Sequence, residues 1–119
     1  MSGYSDVKAV TITADTVALD ADGISVAASV GNNAALVIGG ALASGGAVAL
    51  SHGRIVTILS AGNDAAISFT VVGTDVNGDA QTESITGANA GTATGAVYFL
   101  TIASITAVGN PAGNVSAGV

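Results

Sequence analysis

Residues 66–86, AISFTVVGTDVNGDAQTESIT, decide the fold. Ile67, Phe69 and Val71 alternate with Ser68 and Thr70, the period-2 spacing of a strand with one face toward a core. Its many Val, Ile and Thr side chains are stiff at χ1 and pack well on a pleated sheet. Asp75-Val76-Asn77-Gly78-Asp79 then supplies residues that tolerate the positive φ of a tight hairpin. A two-residue Asn-Gly turn and a three-residue loop with a glycine bulge both fit these residues, in registers one residue apart. The longer loop sets Phe69 opposite Ile85, which favours it. Strands are therefore expected over 66–74 and 80–86.

The same texture runs outward in both directions. Val, Ile and Thr make up 36 of the 119 residues, and turn signals recur throughout. They include Asp22-Gly23, Gly31-Asn32-Asn33, Gly45-Gly46, Gly62-Asn63-Asp64 and Gly109-Asn110-Pro111. Short strands at this spacing, with no capped stretch of helical period between them, point to a sandwich or barrel. Further strands are expected over 7–13, 15–19, 24–28, 35–38, 47–50, 54–60, 96–107 (with room for a break) and 114–118. The fold class is all-β: a single-domain β-sandwich or jelly-roll-like barrel with an extended N-terminal arm. Residues 1–30 carry four of the eight acids, and their apolar side chains are smaller and scattered. They read as an arm or edge strands that order against a neighbour, and residues 31–119 as the sandwich domain.

Composition limits what such a domain does. Its apolar half is mostly 24 Ala and 15 Val, with two Phe, two Tyr and no Trp. A core of that kind is thin, because bulky aromatics normally supply much of the burial energy. Further burial is then expected from partners, either copies of the chain or a larger assembly. The net charge of −6 sets eight acids against Lys8 and Arg54 alone, which argues against nucleic acid and against anionic membranes as partners. The uncharged stretch 34–50 has small-xxx-small spacings such as Gly39 and Ala43. Its four glycines suit two short strands with turns better than a membrane helix. Without cysteine, disulfides and thiolate metal sites do not arise. Met1 to Asp6 shows neither the basic nor the apolar region of a secretory signal.

Few residues invite chemistry. The single histidine, His52, follows Ser51 and precedes Gly53-Arg54. Adjacent residues do not normally set a nucleophile and its base face to face, and no G-x-S-x-G elbow is present. A polar loop before a strand starting at Arg54 explains them better. Asp75, Asn77 and Asp79 alternate like calcium ligands, but glycine stands fourth, not sixth, and Thr86 occupies the twelfth position instead of Glu. Hairpin chemistry accounts for the same residues; the alternative is a weak calcium site completed by Glu83. A glycosidase would need paired carboxylates beside an aromatic platform, and the only tyrosines are Tyr4 and Tyr98. Asn114-Val115-Ser116 matches a glycosylation acceptor and reads as chance. No catalytic, cofactor-binding or metal residues are assigned, and the chain is expected not to be an enzyme.

From about residue 41 the text resembles a family of small proteins encoded among the structural genes of tailed phages. The matching parts are Ser60–Asn63, Phe69–Asp75, Asn77–Asp79, Thr82–Thr92 and Tyr98–Thr106. They carry an S-A-G-N turn, an F-T-V-x-G-T-D strand with its hairpin, a T-E-S-I-T-G-x-N-A-G-T segment and an aromatic before T-x-x-S-I-T. The resemblance covers roughly two thirds of the chain and leaves out the first forty residues. It implies a capsid decoration (cement) protein on the outer surface of the virion. Its partners would be the major capsid protein and copies of itself. The alternatives are a tail or head-fibre component, or a calcium- or carbohydrate-binding β module of a surface protein.

Overall fold

The computed structural model describes residues 19–119, which are all-β with no helix among them. The strands are β1 (Ser25–Ser29), β2 (Ala43–Ser44), β3 (Ala47–Ser60), β4 (Ser68–Thr74), β5 (Ala80–Thr86), β6 (Thr92–Val108) and β7 (Asn114–Gly118). All pairings are antiparallel, in the order β1-β7-β3-β6-β4-β5, with β2 beside the start of β3.

The long strand β6 turns this one sheet into a sandwich-like body. Its residues 92–99 lie against β3 and its residues 101–108 against β4. Thr101 and Ile102 are paired on both sides, with Ala49 and Val48 of β3 and with Thr74 and Gly73 of β4. Register shifts between Ala49 and Arg54, Ile55 and Thr57, and Val72 and Gly73 supply the local bends that let one strand serve two halves. One half is β1-β7-β3 with the start of β6; the other is the end of β6 with β4 and β5. Both feed a single core. Val56, Ile58, Phe99 and Val115 come from the first half, Phe69, Val71, Ile105 and Ala107 from the second. Each fully buried Val, Ile or Phe contributes about 1.5–3 kcal/mol, so the two phenylalanines and the β-branched residues carry a core completed by Leu36, Ala107 and Ala117.

Close approach of neighbouring segments depends on missing side chains. A Cβ on Gly73 would stand 1.9 Å from the Thr101 carbonyl oxygen, and one on Gly118 would stand 1.8 Å from that of Asp20. The second contact lies where Asp20 and Val119 exchange backbone hydrogen bonds of 3.0 Å each. Residues 20 and 119 thereby lie side by side. Ile24 is fully buried and β1 pairs with β7 at the edge of the sheet, so residues 20–29 belong to the sandwich-like body.

The structure sharpens several expected elements. Strands 80–86 and 114–118 form with those bounds, while 66–74 begins two residues later, at Ser68. The segments 47–50 and 54–60 are one strand, β3, running through Ser51-His52-Gly53. The polar, glycine-containing step is taken up as an irregularity in the pairing with β6, so it does not end the strand. Residues 35–38 yield only an isolated bridge, Ala35 to Thr106, and β2 was not anticipated. β6 begins at Thr92, four residues ahead of the expected start. The terminal strands β1 and β5 are not paired with each other, so among the described residues the sheet does not close into a barrel. The strand expected over 7–13, and all but Leu19 of that over 15–19, lies outside the described residues.

Candidate functional site

The hairpin tip is built by its own backbone and one carboxylate. The Asp75 amide donates to the Asp79 carbonyl at 2.9 Å, and the Gly78 amide donates to the Asp75 carbonyl at 3.0 Å. Gly78 has φ +85°, so a type I turn closed by a left-handed glycine makes the three-residue loop. Phe69 pairs with Ile85 accordingly. Oδ1 of Asp75 accepts the amides of Asn77 at 2.8 Å and Asp79 at 3.1 Å. That oxygen therefore shapes the turn.

Glu83 does not join the tip. Its Oε2 accepts the Ala96 amide of β6 at 2.5 Å, and its Oε1 is buried without a hydrogen-bond partner. Two residues away, Gln81 Nε2 donates to the Tyr98 carbonyl at 2.6 Å. The two side chains of β5 thus reach across to β6, and Glu83 is directed away from Asp75, Asn77 and Asp79. Among the described residues no three His, Asp or Glu side chains converge as metal ligands.

Ser51 and His52 do touch: Oγ and Nδ1 are 3.2 Å apart, both side chains exposed. Neighbours on a regular strand would point to opposite faces. This contact arises where the β3–β6 pairing is irregular, between Ala49 and Arg54. Acyl transfer also needs a group to orient the base and donors for an oxyanion. No cleft opens beside the pair or elsewhere among the described residues. In Asn114-Val115-Ser116, Ser116 is buried where β7 pairs with β3.

Two outward rows across β4, β5 and the end of β6 are uncharged. On β4, Thr70 and Val72 alternate with buried Phe69 and Val71. Pairing lines them up in rows across three strands, Ser84–Thr70–Thr106 and Thr82–Val72–Ser104. Near one end of this region Val76 and Tyr98 meet over Gly53, whose missing Cβ would lie 2.8 Å from Val76 and 3.1 Å from Tyr98. Tyr98 is 59% and Val76 58% exposed, the larger values belonging to Val37 and Leu19 at 78% and 84%.

One buried acid was not singled out by the sequence. Asp64 has no exposure, and its Oδ1 accepts the Ala112 amide at 2.7 Å. Its backbone bonds Ala88 and Ile67, so it ties the turn after β3 to the approach of β7. The only local signal was its place in the Gly62-Asn63-Asp64 turn, and Ala112 lies 48 residues away.

No family model, curated protein or solved structure matches the chain.

Proposed function

We propose that this chain is a non-enzymatic structural protein of a tailed-phage virion that decorates and cements the outer surface of the assembled head. The observation that carries the reading is the uncharged outer face of β4, β5 and β6, with Tyr98 and Val76 exposed at its end. The chain bears a net charge of −6, yet the two rows across these strands contain only Ser, Thr and Val. Interface cores are depleted of charge, and exposed tyrosine is a frequent anchor. The supporting scaffold is a stiff sheet, which binds many equivalent sites with little ordering cost. The text resemblance to small phage structural proteins points the same way. In this reading the major capsid protein is the partner, with copies of the chain arranged about a capsid symmetry axis. A thin core suits the role, because binding to the shell stabilises the bound form by mass action.

The test is binding of the purified protein to heads that lack it. Saturation at a fixed copy number, with a raised capsid disruption temperature, is the expected result. Substitution of Tyr98 by Ser should weaken binding while leaving the fold intact. No binding to heads would abandon the cement role and favour the tail or head-fibre alternative.

A further inference from the structure

Among the described residues the sheet has a third edge with no strand against it, besides β1 and β5, and side chains occupy it. Residues 92–99 of β6 have β3 along one side, while β4 pairs only with residues 101–108. Before Thr101, along residues 92–99, the side of β6 that β4 would have covered has no strand against it among the described residues. Unpaired amides and carbonyls there would form a ready template for another strand. Instead, the Ala96 amide donates to Glu83 Oε2 and the Tyr98 carbonyl accepts from Gln81 Nε2. Two β5 side chains, two residues apart, supply one acceptor and one donor to two β6 positions, two residues apart.

We propose that Gln81 and Glu83 guard the β6 edge against strand addition by a second copy of the chain. The pair imitates the hydrogen bonding of an incoming strand and fills the space it would need. The pair is an effective guard because a second strand would have to displace both side chains from the β6 backbone and leave their polar groups buried without partners. Glu83 Oε1 lies buried without a hydrogen-bond partner. Gly95 makes room for it: a Cβ there would stand 2.6 Å from Glu83 Oε1. The edge is therefore closed by two side chains and one absent methyl group. Assembly is directed to surfaces other than this edge.

The experiment compares wild type, E83Q, the double variant Q81L/E83L and G95A by sedimentation velocity over a hundredfold concentration range. Amide exchange at Ala96 is read in the dilute samples. Wild type and E83Q, whose amide oxygen still accepts the Ala96 N–H, should share one mass profile and slow exchange at Ala96. The double variant should gain mass with concentration, its weight-average mass rising toward twice that of wild type at the top of the range. Gly95→Ala tests the same edge without altering β5. Its methyl group pushes the carboxylate aside, so Ala96 should exchange at least tenfold faster when dilute and the mass should rise in the same way. If G95A keeps the wild-type profile in both mass and exchange, the proposal is overturned, even if the double variant fails to fold. A folded double variant with the wild-type mass profile overturns it equally.

Discussion

Replacing Gly73 by alanine should destabilise the protein, against the sign that strand propensity gives. Glycine inside a strand is ordinarily the weaker residue, by about 0.5–1 kcal/mol relative to alanine. At Gly73 the added Cβ would lie 1.9 Å from the Thr101 oxygen, 2.8 Å from its carbonyl carbon and 3.0 Å from Cα of Ile102. Carbon and oxygen in favourable contact sit about 3.3–3.6 Å apart. β4 and β6 would therefore have to separate by more than an ångström where Thr74 and Thr101 share a 2.7 Å hydroxyl hydrogen bond. Overpacking costs about 1–3 kcal/mol, and because every obstacle here is backbone, a loss near the upper end, about 3 kcal/mol, is expected. Domains of this size are stable by only about 5–15 kcal/mol, and the corresponding fall in Tm is about 10–15 °C. Urea unfolding followed by far-UV circular dichroism measures it, with an m-value equal to that of wild type. Gly46→Ala is the comparator. Its φ is +83° with nothing within 4 Å of the added carbon, so only the left-handed strain of about 1–2 kcal/mol applies. A Gly73→Ala variant at least as stable as wild type, or hurt less than Gly46→Ala, would refute the close approach of the two strands.

Phe69, fully buried and paired with Ile85 and Ala107, should cost about 3–5 kcal/mol when cut to alanine; a thermal melt within 5 °C of wild type would contradict the core described above. Asp64→Ala removes the acceptor of the Ala112 amide and should cost about 1–3 kcal/mol in urea unfolding. Asp64→Asn keeps an acceptor oxygen and should lose less; an equal loss in both would mean that this hydrogen bond does not hold the turn to β7. His52→Ala, at an exposed position, should change stability by no more than about 0.5 kcal/mol and leave head binding unaltered. A large loss of binding would move the contact surface to the irregular part of β3.

Sequence alone determined whatever depends on neighbours along the chain. The alternation around Phe69 and the Asp75–Asp79 turn chemistry gave both strands of the hairpin, because period-2 burial and a left-handed glycine are local requirements, and the match of Phe69 with Ile85 favoured the register that forms. β-branched content and recurrent turns likewise settled the all-β class. The uncharged outer rows were already present as alternating Thr, Ser and Val, though nothing in the text showed that three strands would align them. Tertiary structure decided the rest. Which half of β6 meets β3 and which meets β4 depends on pairings far apart in sequence, and the irregular step at Ser51-His52-Gly53 reads locally as a loop because the strand holding it open is elsewhere. Glu83, the residue that would have completed the alternative calcium site at the hairpin tip, proved to be bonded to Ala96; at Gly73 the backbone of β6 leaves no room for a methyl group, and at Gly95 a methyl group would displace the Glu83 carboxylate. A sequence records which side chain each residue carries, but only the folded sheet brings distant backbone close enough for a missing side chain to matter.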